Sequence, residues 1–422
     1  MDHLQQSEQI ERYLQGALPD GLALLEQMVA VNSFTANPAG VNELGLQTAE
    51  IFADLGFEAE LVQSVNPLYG KHLILTRSGR SRDGQAAPQI GLVSHLDTVF
   101  PADEEQRNDF NWRIEDDHIY GPGVVDIKGG TIMIFMILSA IQALAPELFA
   151  AVTWVVLLDA TEETGGRDFG RICVERLDGN VLACLVFEPG NWTGSQPRFV
   201  VARKGMAVYR IEVEGKAAHA GSSHPQGANA VLQMAEVITH VCRMTDYERD
   251  LTFNVGTVAG GTVINRVPHF ASASVEMRAF QMDVFEDGIA NMLALNDLST
   301  VSTASGDFAC RVRTRVLHRV LPWPRNKGTD RLFSLWDDTA VALGYRAIPE
   351  ERAGLSDGNY FWSELPTLDG LGPAGGNAHC SERSPDGSKD QEYVLASTFV
   401  PKAHLNTLAI LRLVKDHFAS KE

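Results

Sequence analysis

At 422 residues, with 45% hydrophobic and 21% charged residues, the chain has ordinary globular composition and exceeds the usual size of one hydrophobic core, so two domains are expected. Its net charge of −19, from 35 basic and 54 acidic residues, disfavours nucleic acid and anionic membranes as partners. No apolar run approaches the roughly 18 uninterrupted residues of a membrane span, and "MDHLQQSEQIERYLQG" lacks the order of a secretory signal, which leaves a cytoplasmic location as the expectation.

The first half alternates two textures. "GLALLEQMVAV" and "VNELGLQTAEIFADLG" carry apolar residues at helical spacing, the second stopping at Gly56. "KHLILTRS", "QIGLVSHLD", "VTWVVLLDA" and "VLACLVFEP" are short apolar runs that end in polar residues and read as strands. Between them "GGTIMIFMILSAIQAL" is long enough for a buried helix. Strands apolar on both faces and separated by helices predict an α/β domain with a mostly parallel sheet.

Around residue 200 the texture changes. "FVVARKGMAVYRIEVEG" alternates loosely, "GANAVLQMAEVITHVCRM" is amphipathic, and "LTFNVGTVAGG" and "ASASVEMRAFQ" read as strands. A helix over 284–295 and the strand "ACRVRTRVLHRV" complete an inserted α+β domain with an antiparallel sheet and two helices. "LPWPRNKG" reads as the linker back, followed by the helix "DRLFSLWDDTAVALG", a Gly-rich stretch and a last helix, "TFVPKAHLNTLAILRLVKDHF". The predicted domains are 1–201, 202–320 and 321–422, with the first and third forming one catalytic domain. The five cysteines are odd in number and include no C-x-x-C pair, so neither a disulfide framework nor a thiolate zinc site is expected.

Acids and histidines gather just past predicted strand ends, the edge where open α/β sheets bind ligands. "LVSHLDTV" sets His95 and Asp97 two apart, on one side of an extended backbone, a spacing that suits a metal-ligating histidine and the carboxylate that orients it. Asp126 lies in a glycine-flanked loop, Glu162 and Glu163 are adjacent in "DATEETGG", Glu188 follows another strand, and His379 sits in "GGNAHCSER". Singly, each reads as readily as a turn or rim residue. Together they suit two divalent ions that share a carboxylate, with nitrogen and oxygen donors favouring zinc over the all-oxygen shells of calcium or magnesium.

The chain resembles the di-zinc M20 metallopeptidases and deacylases, which include glutamate carboxypeptidase, acetylornithine deacetylase and succinyl-diaminopimelate desuccinylase. "SHLDTV", "GPGVVDIKGG", "DATEETGG", "FEPG", "GKAAHAG", "GGTVINRVP", "VEMRA" and "GGNAH" follow that family's order, with a texture closest to the glutamate carboxypeptidase branch. The resemblance implies that Asp126 bridges two zinc ions per subunit, that His95 and Glu188 complete one site, and that Glu163 and His379 complete the other. It makes Glu162 the general base, Asp97 the residue that orients His95, and His219 an oxyanion donor reaching into the partner subunit of a homodimer that pairs through the inserted lid domain. Asn265 and Arg278 would hold the substrate's carboxylate, and Ser356 would line the pocket. The implied substrate is a small peptide or N-acyl amino acid, with glutamate as the first guess for the amino acid released. A deacylase of the acetylornithine or succinyl-diaminopimelate type is the alternative within the family, and a non-catalytic dimeric binding protein is the alternative outside it. Leu355 ahead of Ser356 and Asp357, and an Arg325 out of register with the branch's side-chain arginine, depart from the glutamate carboxypeptidase pattern.

Overall fold

The computed structural model describes residues 3–80 and 86–420. They form two units: residues 3–80, 86–201, 325–350 and 356–420 make the first, and Ala202–Pro324 with Glu351–Leu355 the second. This is a mixed α/β architecture with a parallel-rich sheet in one unit and a separate antiparallel sheet in the other.

The first unit is built on a six-stranded sheet in the order Glu58–Gln63, Lys71–Arg77, Thr153–Asp159, Gln89–His95, Val181–Val186, Thr367–Leu368. The last four strands are parallel, as their uninterrupted apolar runs predict. Lys71–Arg77 runs antiparallel to Thr153–Asp159 instead, and Glu58–Gln63 pairs antiparallel with it in turn. The sequence pattern missed this edge strand because "EAELVQ" is largely exposed and acidic, as a strand with one free edge tends to be.

Side chains of Thr153–Asp159 alternate between two cores, as strand geometry requires. Trp154, Val156 and Leu158 join the larger core, while Val155 and Leu157 face the smaller one with Phe169, Ile172 and Cys173 of the helix Arg167–Arg176. The larger core is closed by three helices, His3–Val29, Gly129–Leu144 and Phe399–Ala419. The first begins well before residue 21 and runs through Pro19; Ile10 and Leu14, both fully buried, anchor its early turns. Residues 124–144 are apolar and long enough to cross a membrane by composition, yet most of that segment is buried inside this unit. Gly130 explains how the helix comes so close to the sheet: a Cβ there would lie 2.2 Å from the Phe187 carbonyl oxygen.

The second unit is a four-stranded antiparallel sheet, ordered Thr252–Gly260, Phe270–Ala279, Gly205–Glu214, Arg311–Val320. The expected single strand over "FVVARKGMAVYRIEVEG" is two, Gln196–Arg203 and Gly205–Glu214, parted where the chain leaves the first unit. Ala207, Tyr209, Ile211 and Val213 point to one face and pack with the helices Ala230–Arg243 and Met282–Ala294. The short return 351–355 joins this unit, where its Gly354 and Leu355 carbonyls accept hydrogen bonds from the Arg203 guanidinium at 3.0 and 2.9 Å.

Candidate active site

The parallel strands of the first unit carry the site on their C-terminal edge. His95 is the last residue of Gln89–His95, and its cross-strand partner Asp159 ends Thr153–Asp159 in register with it. The Glu162–Thr164 turn follows three residues later, and Glu188 follows the strand Val181–Val186. Asp126 lies in the turn before the helix Gly129–Leu144. His379 comes from the far C-terminal segment and holds a left-handed backbone, φ 66°.

Asp126 is the hub. Its Oδ1 lies 3.1 Å from His95 Nε2, and its Oδ2 lies 3.3 Å from His379 Nε2. His379 Nε2 also lies 3.2 Å from Glu163 Oε2, and His95 Nε2 lies 3.9 Å from Glu188 Oε1. Thus one carboxylate presents a different oxygen to each of two imidazole nitrogens, and each nitrogen has a second carboxylate beside it. The ligand atoms of His95, Asp126 and Glu163 all fall within 4.8 Å of one another. The other oxygen of Glu163, Oε1, is buried with no hydrogen-bond partner among the described residues, an arrangement that is costly unless a cation meets it. The donor set therefore fits two divalent cations sharing Asp126, with His95 and Glu188 on one side and Glu163 and His379 on the other.

Burial works against ionisation of Asp126, but hydrogen bonds from His379 and His95 hold its carboxyl below the usual carboxylate range. Hydrogen bonds donated to Asp126 and Glu163 raise His379 to about 11. Burial, together with the charges of Glu188, Glu163 and Asp126, pushes Glu162 well above an ordinary glutamate despite the pull of His95.

The Asp97 side chain does more for the acidic turn than for His95. His95 Nδ1 bonds the Asp97 backbone carbonyl at 2.9 Å, while the Asp97 carboxylate stands 3.6 Å from that nitrogen. The carboxylate accepts the backbone N–H of Glu162 at 3.1 Å, that of Glu163 at 3.3 Å, and the Thr35 hydroxyl at 2.6 Å. One buried acid thereby fixes both the ring on one strand and the turn on the next.

Glu392 is a site residue that the sequence pattern did not reveal. It is fully buried, and its Oε1 accepts the N–H groups of Val125 at 3.0 Å and Asp126 at 3.2 Å. Burial and the Asp126 charge raise its pKa to about 8. It sits in the polar stretch "SKDQEYV", where nothing distinguishes it from a solvated acid.

His219, Asn265 and Arg278 all belong to the second unit. His219 Nδ1 accepts the N–H groups of Gly221 and Ser222, at 3.1 and 3.2 Å, which leaves the ring proton on Nε2 as a donor. With Ala217, Ala218, Val263, Asn265 and Arg266 it lines an open pocket of about 380 Å³. Arg278 is elsewhere. Asn265 precedes the strand Phe270–Ala279, and Arg278 stands near that strand's other end, roughly 26 Å from Phe270 at strand rise. There its guanidinium bonds Glu276 at 2.8 Å and the Ala353 carbonyl at 3.2 Å. Asn265 and Arg278 of one chain therefore do not converge on one carboxylate.

Ser356 does not point into an open pocket. Its hydroxyl is buried, donates to Asp369 Oδ2 at 2.9 Å and accepts the Gly358 N–H at 3.2 Å as the cap of a short turn, which leaves it committed inside the fold. Arg325 pairs with Asp330 at 2.6 Å.

The sequence matches peptidase family M20/M25/M40 over residues 91–392, well over half of the chain. It is 26% identical over 269 residues to carboxypeptidase G2 of Pseudomonas sp. (strain RS-16), a match that covers 64% of this chain and 62% of the relative. It is 31% identical over 271 residues to acetylornithine deacetylase of Pectobacterium carotovorum, covering 59% and 65%. The chain thus spans less than two thirds of the length of these relatives. Among solved structures, aminopeptidase PepT of Bacillus cereus superimposes with a TM-score of 0.73 at 21% identity, over 94% of this chain and 99% of that one. YXEP of Bacillus subtilis, a dinuclear metal-binding peptidase of the M20 family, gives 0.60 at 14% identity over 93% and 98%. With strand-end ligands, paired acids and an inserted antiparallel unit in that order, the chain belongs to peptidase family M20/M25/M40.

Proposed function

We propose that this chain is a zinc-dependent hydrolase of an amide or peptide bond next to a free carboxylate, acting as a homodimer and releasing a C-terminal amino acid, with glutamate the first candidate. The observation that carries the reading is Asp126, each of whose oxygens faces a different histidine. When bound, two divalent cations supply Lewis acidity, acidifying water and polarising the scissile carbonyl. Glu162 takes the proton from the attacking water and gives it to the leaving amine nitrogen, so the base ends each cycle as it began. Asp97 holds the backbone amides of Glu162 and Glu163 and keeps that carboxylate aimed while it exchanges its proton. His219 donates its Nε2–H to the oxyanion that develops on the carbonyl oxygen. The guanidinium of Arg278, a planar fork matched to a carboxylate, holds the substrate's free acid together with Asn265.

The separation of those last two residues supports the homodimer reading. One chain keeps Asn265 and Arg278 at opposite ends of a strand, so a shared carboxylate clamp requires one from each of two chains. The second unit supports pairing with exposed apolar residues, among them Leu232, Val258, Val263 and Ile264. The 31% identity to an acetylornithine deacetylase supports a second reading, an N-acyl amino acid deacylase, which needs the same residues in the same roles. Intact ligands and base speak against a non-catalytic binding protein.

The test is amino-acid release from N-acyl and peptidyl glutamate, aspartate, ornithine and leucine, with zinc-loaded and chelated protein in parallel. Chelator-sensitive release of glutamate is expected. Release of another amino acid moves the substrate, and no release from any member by a protein holding two zinc ions overturns the hydrolase reading.

A further inference from the structure

His72 takes no part in the chemistry above, yet it is fully buried in the first unit beside the acidic turn. It belongs to the strand Lys71–Arg77, which pairs antiparallel with Thr153–Asp159. Its Nδ1 lies 2.9 Å from Asp159 Oδ1, and its Nε2 lies 3.2 Å from Asp168 Oδ2. Asp159 ends the strand before the Glu162–Thr164 turn, and Asp168 is in the first turn of the helix after it. The ring thus ties together both flanks of the segment that carries Glu162 and Glu163.

Each carboxylate passes the constraint on. Asp159 Oδ1 accepts the Thr161 N–H at 2.7 Å and the Thr161 hydroxyl at 3.0 Å, immediately before Glu162. Asp168 Oδ2 also accepts the Val65 N–H at 2.6 Å, which anchors the helix start to the neighbouring loop. The approach is close enough to require glycine: a Cβ on Gly166 would lie 2.0 Å from Asp159 Oδ2. Phe169 covers the ring with a centroid distance of 5.3 Å. Asp159 from the strand and Asp168 from the helix are the charged groups that face the imidazole.

The geometry points to His72 as a positioning residue for the proposed base: its ring bridges Asp159 and Asp168 and so fixes the turn that aims Glu162 and Glu163. Burial alone would lower the ring's pKa, but the hydrogen bonds that its nitrogens donate to Asp159 and Asp168 raise it to about 9, which favours protons on both nitrogens at neutral pH. The Ala160 N–H lies 3.2 Å from the same Nδ1, so a ring that lost its Nδ1 proton would accept that amide in place of donating to Asp159. This inference rests on the hydrolase reading for its catalytic consequence, but not for the bridge itself.

Two variants of the full chain, H72Q and D168N, test it by amide hydrogen exchange over residues 160–166, metal content, and kcat and KM on the substrate panel. In both, exchange of those amides is expected to quicken at least tenfold while helix Gly129–Leu144 keeps its protection. Two metal ions per chain remain, kcat falls at least tenfold and KM stays within about twofold. Exchange is read without substrate, so a wild-type chain that hydrolyses nothing sinks the hydrolase reading while exchange still decides the bridge. Native exchange and native kcat in a folded H72Q protein overturn the proposal. So does global unfolding of both variants, which would make the bridge a general stability element.

Discussion

The acids of the first unit and the polar residues of the second present opposite problems. Around Asp126, carboxylates and imidazoles crowd together, mostly buried, and Asp97 and Glu392 hold the backbone of Glu162, Glu163 and Asp126 in place. His219 and Asn265 are exposed beside an open pocket, and Arg278 lies a strand's length away with a glutamate as its partner. The first cluster is complete within its unit except for the cations that would balance its charge. The second does not gather its members at one point within a single chain, so its proposed roles rest on a second chain. Crowded, over-determined geometry is where the proposed chemistry sits, and dispersed geometry is where the proposed pairing is needed.

The sharpest way to break this contrast is at Glu162. E162Q is expected to keep both metal ions by elemental analysis while kcat falls by roughly 10²–10⁴, the range for loss of a general base. Comparable turnover would remove the assignment. H219A is expected to lose roughly 10²-fold or more, as for an oxyanion donor. Equal mixtures of reassociated H219A and E162Q chains should recover about a quarter of wild-type activity, because half the random dimers hold one intact site. Mixtures with no recovery would assign His219 to its own chain or to no catalytic role.

Smaller effects sharpen the picture. R278K keeps the charge but loses the fork, and a rise of about tenfold in KM, or ~1.4 kcal/mol, is expected with kcat little changed. His72 gives the pH dependence: its folded pKa, about 9, lies above its ordinary 6.5, so its stabilising contribution is complete below about 6.5 and fades as pH rises through about 9. Chemical denaturation of wild type between those limits should show the loss, and H72Q should show a flatter profile. S356A is expected to cost about 1 kcal/mol of stability as a lost cap while leaving KM unchanged. A large KM effect there would return Ser356 to the pocket lining.

What the sequence made legible was governed by local pattern. The central strands are read from their apolar runs, and the acids and His95 stand out because a polar residue just beyond such a run is conspicuous. The antiparallel direction of Lys71–Arg77 was not legible, since an apolar run buried on both faces carries no sign of direction. His72 hid for a related reason: one histidine inside "KHLILTRS" reads as a strand residue until the register sets it against Asp159. Glu392 lies in a polar stretch and acquires its role only when the chain folds back beneath Asp126. The separation of Asn265 from Arg278 depends on strand length and direction, which motif order does not encode.

Because the second unit interrupts the first, the order of synthesis has a consequence of its own. Glu188 leaves the ribosome early, then Ala202–Pro324 is made, and only later does His379 appear. At ordinary elongation speeds the gap is roughly 10–40 s. Through that interval Asp126 and Glu163 lack the imidazole that meets them both, and the core waits for its closing helix, Phe399–Ala419. On the proposed roles, a chain terminated before His379 would lack the donor that meets both Asp126 and Glu163.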